Sequence, residues 1–187
     1  MQFKDLLISI LNSYYQRCSK WPSKTRLLKL SYLADLFHKR RFGGRLITNT
    51  WVYYLYGPYI LEYDSILNDT DFQQASVEIE GEKTAILVSL NPETRIEPHS
   101  PDINTIIYHV VSDFGNRSFE DLLDYIYFET EPMINATKRK EPLDFDTVQS
   151  DEYYRVRKLS IDDKVERELR KSFRTRLKQI RNDKGNS

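Results

Sequence analysis

The sequence predicts a mainly α domain of the α+β class, and three observations predict it. Apolar side chains recur at helical spacing in several long segments. One pair of alternating, β-branched runs flanks a Gly-containing turn. A chain of 187 residues with 40% hydrophobic content also carries enough apolar side chain for one buried core. The expected architecture is a compact helical domain over residues 1–150 with one short β-hairpin or small antiparallel sheet. A basic, amphipathic C-terminal helical extension over residues 151–187 follows it.

The elements follow in order. Phe3, Leu6, Leu7, Ile10, Leu11, Tyr14 and Tyr15 share one helical face, and Trp21-Pro22-Ser23 ends that helix, because Pro22 disfavours helical geometry at Trp21. Ser23 can cap a second helix with Leu27, Leu30, Leu33, Ala34 and Phe37 inward. Basic residues 38–41 and then Gly43-Gly44 are its stop signal. Residues 45–56 read as an extended connection broken by Gly57-Pro58, and residues 59–67 fit a short helix. Val77 and Ile79 alternating with glutamates, a turn at Gly81-Glu82-Lys83 and a return over residues 85–88 form the hairpin. Ser100-Pro101 and Ser118-Phe119-Glu120-Asp121 open two further helices, the second interrupted at Glu131-Pro132. Residues 138–159 read as a hinge or edge segment. Ile161, Val165, Leu169, Phe173, Leu177 and Ile180 then form a last helical stripe, to be covered by the domain itself or by a partner.

The net charge of zero conceals a separation. Residues 1–59 hold 10 Lys/Arg against 2 Asp/Glu, residues 60–152 hold 6 against 21, and residues 153–187 hold 12 against 5. Each zone either neutralises another within the molecule or steers a partner of opposite sign. No run approaches the ~20 apolar residues of a membrane-spanning helix, and Asp5 interrupts the start as a signal peptide would not tolerate, so a cytoplasmic protein is expected. The single Cys18 excludes an internal disulfide and reads as a small core or flank residue. His38, His99 and His109 form no zinc motif, and the six glycines form no phosphate loop. No catalytic residue, metal or cofactor is therefore expected.

Three segments carry a resemblance. They are Lys24-Thr25-Arg26-Leu27-Leu28-Lys29-Leu30-Ser31-Tyr32-Leu33-Ala34-Asp35-Leu36-Phe37-His38, then Gly44 through Pro58 with Trp51 and Tyr56-Gly57-Pro58, then Glu129-Thr130-Glu131-Pro132-Met133. Together they resemble the Panacea domain, the SocA-like family of bacterial and phage antitoxins, over roughly residues 5–145. The resemblance implies a small helical domain with a short β element, no cofactor, and a function exercised by binding a protein toxin encoded beside it. One member type acts as an adaptor that delivers its toxin to a protease. Some members carry an added N-terminal DNA-binding segment; this chain starts almost at the motif, so repression of its own operon is not expected.

The expected partner-binding residues are Tyr32, Asp35, Trp51, Tyr56, Gly57 and Pro58, with Arg170 and Arg174 on the basic C-terminal helix. Asp35 lies one turn from both Ser31 and Lys39, the spacing of an exposed helix pair worth a few tenths of a kcal/mol, about 0.3. A buried Asp35 tied to Arg45 or to the Tyr-Gly-Pro loop is the other reading. Trp51 and Tyr56 beside a Gly-Pro turn fit a loop packed on the core or a contact hot spot. Glu129 and Glu131 read as solvated helix-end charges. The competing function is nucleic-acid binding through the C-terminal cations, but these are spread around the helix and interleaved with acids.

Overall fold

In the computed structural model, which describes residues 1–79, 83–151, 172 and 175, the chain divides into two compact units, Met1–Val148 and Gln149–Ser187. The first unit opens with α1 (Phe3–Cys18), whose inner face buries Phe3, Leu6, Leu7, Ile10, Leu11 and Tyr14. Tyr15, expected on that face, is instead half exposed and stacks on Trp21 with ring centroids 4.4 Å apart. Ser23 caps α2 (Lys24–Phe42) by accepting from Arg26 N, and Gly43 at φ +76° closes it by donating to Lys39 O. α2 packs against both α1 and the later α4 (Pro101–Phe114) and is buried along most of its length.

The chain then forms two antiparallel hairpins where one was expected. In the first, β1 (Val52–Tyr54) pairs with β2 (Gly57–Tyr59), so that Val52 faces Tyr59 and Tyr53 faces Pro58. The extended run ends at a turn over Leu55-Tyr56, and Gly57-Pro58 opens the returning strand. Gly57 at φ +93° supplies the turn, and Pro58 needs no ladder donor in a two-stranded pair. The other edge of β1 is covered by residues 140–143, through Lys140 N to Tyr53 O, Tyr53 N to Glu141 O and Leu143 N to Trp51 O. The region read as hinge or edge is an edge at that point. The expected helix over 59–67 shrinks to α3 (Tyr63–Ile66), since β2 takes Tyr59 and Leu61 points outward, 67% exposed.

The second hairpin joins β3 (Phe72–Ile79) to β4 (Lys83–Leu90) in an unbroken register from Phe72 opposite Leu90 to Ile79 opposite Lys83. It starts five residues earlier than its alternation suggests, because Gln73, Gln74, Ala75 and Ser76 are all exposed and show no apolar period. Val88 N donates to Pro22 O, which fastens β4 to the α1–α2 connection. Ser100 and Ser118 cap α4 (Pro101–Phe114) and α5 (Phe119–Glu129) as expected, accepting from Ile103 N and Asp121 N. The break before α6 (Glu131–Ile134) falls at Thr130, which is extended at φ −117°, ψ 121°; Pro132 sits in the first turn of α6, where its missing N–H costs nothing. A 3-10 turn at Phe145–Thr147 follows. Among the described residues no helix is long and apolar enough to cross a membrane. The expected C-terminal helix, with its apolar stripe, Arg170 and Arg174, lies outside the described residues.

Candidate functional site

Five of the eight residues singled out by sequence, Tyr32, Asp35, Trp51, Gly57 and Pro58, meet around α2, and the chemistry begins with a buried charge. Asp35 is fully buried, and its carboxylate is surrounded by five N–H donors. Oδ2 accepts from Arg45 Nε at 3.0 Å, Arg45 Nη2 at 2.7 Å and Trp51 Nε1 at 2.8 Å; Oδ1 accepts from Leu46 N at 2.6 Å and Ile47 N at 3.4 Å. The exposed-pair reading of Asp35 is thereby corrected. Its partners lie 10 to 16 residues onward and bend the chain back over the helix. Arg45 also donates to Asn49 O and lies 4.4 Å over the Phe145 ring, so a single guanidinium ties α2, the loop and the 3-10 turn together.

Trp51, 1% exposed, lies edge-on to Tyr32 and to Phe3 with centroids 5.4 and 5.8 Å apart. The Tyr32 hydroxyl donates to Thr130 Oγ1, and burial holds this phenol far above its ordinary pKa, so it stays protonated and serves as a donor. Thr130 in turn donates to Ile126 O, which fixes the corner between α5 and α6.

Lys29 stands one turn before Tyr32 on the same stripe of α2. It is 2% exposed, and Nζ donates to Pro58 O at 2.8 Å. Burial pushes its ammonium down to about 7. The lysine thus reaches through the core to pin β2. Opposite it, a Cβ on Gly57 would meet the Tyr127 ring at 3.4 Å, so the hairpin is seated on α5 from the other side.

At the far end of α2, Arg40 Nη2 donates to Glu131 Oε2 at 2.7 Å and to Glu129 O at 2.7 Å, and Nη1 donates to Tyr125 OH at 3.2 Å. Both Arg40 and Glu131 are 5% exposed. Glu131 is therefore a buried ion-pair member, contrary to its reading as a solvated helix end. Its partner lies 91 residues earlier in the chain, beyond the reach of local spacing.

The structure thus brings Tyr32, Asp35 and Trp51 into one buried cluster and joins Gly57 and Pro58 to it through Lys29. All five residues are buried in the chain by itself. Tyr56 alone of the six is exposed, at 37%, on the tip of the first hairpin. Tyr54 and Tyr59 lie half-buried beside it with centroids 5.3 Å apart, and Leu61 follows. The Tyr59 hydroxyl donates to Asp64, and burial together with that carboxylate pushes the phenol up to about 12. Arg170 and Arg174 are outside the described residues.

Sequence reasoning missed Lys29, Arg40, Thr130 and Glu131 as parts of this frame. A signal existed for two of them: Lys29, Tyr32, Leu36 and Arg40 follow one another at three- and four-residue steps, so two cations occupy an inward stripe.

A second pairing outside the frame has the composition of a nucleophile and its base. His99 Nε2 lies 2.6 Å from Ser9 Oγ. The serine hydroxyl donates its one hydrogen to Asp5 O at 2.7 Å, so the imidazole is the donor in the first contact and does not take a proton from Ser9. Among the described residues no three His, Cys, Asp or Glu side chains are grouped as metal ligands would be.

A family model described as Antitoxin SocA-like, Panacea domain, matches residues 27–132, more than half of the chain. The matched span holds Lys29, Tyr32, Asp35, Arg40, Arg45, Trp51, the Tyr-Gly-Pro hairpin and Glu131. No curated protein and no solved structure matches the chain.

Proposed function

We propose, from the premise that the chain belongs to the family of SocA-like antitoxins built on the Panacea domain, that it neutralises a cognate protein toxin in the cytoplasm by binding it directly. The observation that carries the reading is the family match over the α2 frame, together with what that frame does. Buried polar anchors on α2 hold a short tyrosine-rich hairpin rigidly against the domain and leave Tyr56 and Leu61 in solvent. A preorganised aromatic surface loses little conformational freedom when a partner docks. The sequence-expected residues Tyr32, Asp35, Trp51, Gly57 and Pro58 act in this reading by positioning, while Tyr56 acts by contact.

The experiment is co-production with the protein encoded by the adjacent gene. That protein alone arrests growth, the pair grows, and both copurify in a fixed ratio. Tyr56→Ala and Leu61→Ala weaken rescue without moving the melting temperature. If the neighbouring product is harmless by itself, the antitoxin reading fails. Delivery to a protease is the finer alternative within it: the toxin's half-life then falls when the chain is present, whereas direct blocking leaves it unchanged.

The basic C-terminal segment is the second contact in this proposal. Charge reversal at Arg170 and Arg174 slows association with the toxin, by up to about tenfold at low salt. Nucleic-acid binding through the same cations is the competing function, and an anisotropy titration with duplex DNA separates them. Affinity that falls steeply with added salt favours the competitor; absent affinity removes it.

A further inference from the structure

We infer that the edge of β3 left unpaired among the described residues is a strand-addition site, which receives an extended, basic segment of the bound toxin as a third strand of the β3–β4 sheet. The inference rests on the antitoxin reading and names how the partner is held.

The register decides which backbone groups of β3 are free. Asn91 N donates to Asp71 O, one step beyond the Phe72–Leu90 pair, so the odd-numbered residues of β3 make the ladder bonds to β4. Two further bonds agree. Val88, opposite Gln74, sends its N–H away from β3 to Pro22 O, and Phe72 sends its N–H away from β4 to Asp69 O. The N–H and C=O groups of Gln74, Ser76 and Glu78 therefore point outward. No bond to any of them exists among the described residues, and all three residues are exposed. β4 has no comparable opening where Pro22 and Ser23 cover it.

Proteins ordinarily blunt such an edge with lysine, proline, a bulge or a covering segment. β3 has no lysine and no proline, and its eight pairs with β4 run without a bulge. What the edge offers is a row of alternating donors and acceptors, whose complement is another extended backbone. Charge selects the occupant. Glu78 is the charged residue of β3, and the sequence continues through Glu80 and Glu82, so a segment carrying lysine or arginine gains where an acidic one loses. A second copy of this chain brings the same glutamates. Its contact along one polar strand also falls well short of the ~1,000 Å² that a stable interface needs.

The probe is the adjacent-gene protein, titrated against the full chain and its variants, with growth rescue scored in parallel. Ser76→Pro removes the central outward N–H and leaves the bonds to β4 in place, while Ser76→Ala keeps that N–H and serves as control. The expected result is normal binding and rescue by Ser76→Ala and a loss of roughly tenfold or more in affinity for Ser76→Pro, the worth of one to two lost backbone bonds. Glu78→Lys, which leaves the hairpin intact, weakens binding several-fold at low salt. Independently of any variant, hydrogen exchange of the wild-type complex slows at the amides of Gln74, Ser76 and Glu78. If wild type and Ser76→Pro bind equally and those amides stay unprotected, strand addition is overturned while the antitoxin reading stands. If wild type neither binds nor rescues, the antitoxin reading falls and this inference with it. A concentration-dependent dimer of the chain alone that Ser76→Pro abolishes assigns the edge to a second copy and overturns the occupant named here.

Discussion

Asp35 and Lys29 stand six residues apart on one helix, both buried, and they are treated in opposite ways. The carboxylate is enclosed by Arg45, Trp51 and two backbone amides, a charge fully answered by donors. The ammonium has one neutral carbonyl, Pro58 O, and no ion pair among the described residues. A saturated charge fixes one chain path. An under-answered one is carried at a cost that depends on whether the proton is present. The difference teaches that the loop after α2 and the hairpin beyond it are fastened by unlike means, the first by a charge enclosed in donors and the second by a charge whose cost depends on its proton.

The largest test breaks the saturated site. Asp35→Ala leaves the Arg45 guanidinium and the Trp51 indole without their acceptor, and chemical denaturation should register a loss of about 3–5 kcal/mol. The double variant Asp35→Ala with Arg45→Met should recover part of it, since the stranded charge is gone. No recovery would mean that the Trp51 indole and the two backbone amides, and not the guanidinium, account for the loss.

Next comes the conditional site. The Lys29 ammonium has a folded pKa of about 7 against an ordinary value of 10.5. Between those values the unfolded chain holds more protons than the folded one, so stability rises as pH rises from about 7 toward 10 and is lost again as pH falls back to about 7. The slope is at most about 1.4 kcal/mol per pH unit. Denaturant melts across that window should show the rise in wild type and a flatter profile in Lys29→Met.

Two smaller effects sharpen the comparison. Trp51→Phe keeps the ring against Tyr32 and removes only the indole donor to Asp35, for an expected loss of about 1–3 kcal/mol with the carboxylate still ion-paired. Tyr32→Phe removes one hydroxyl from Thr130, whose own hydroxyl still donates to Ile126 O; about 1 kcal/mol is expected. If Tyr32→Phe proves the more damaging of the two, the frame is centred on the α5–α6 corner and not on Asp35.

Much of this fold could be read from the chain because its signals are local. Ser23, Ser100 and Ser118 each accept from a backbone N–H three residues on, and Gly43 takes the left-handed turn expected of it. Such caps depend on one side chain and its nearest neighbours. The errors share the opposite property. Glu131 looks solvated beside a proline until Arg40, 91 residues away, is placed against it. Gly57-Pro58 looks like punctuation until Tyr53 pairs across from it and Lys29 takes its carbonyl. Gln73 through Ser76 form a strand with no alternation, because burial on neither face constrains them. Among the residues singled out by sequence, local spacing left Asp35 open between an exposed pair and a buried tie to Arg45, and Trp51 open between core and contact; donors 10 to 16 residues onward place both inside, while Tyr56 meets solvent.

The contacts of α2 have a consequence for the newborn chain. Tyr32 and Arg40 acquire their polar partners only at residues 125–131, and Arg45 its aromatic cover only at Phe145. A ribosome adding 5–20 residues per second needs roughly 4–20 s to travel that far. Throughout that interval the helix that organises the domain is unfinished, with Phe37 still lacking the Phe114 and Tyr125 rings that later pack against it. The framework around α2 is therefore completed late in the chain's own synthesis.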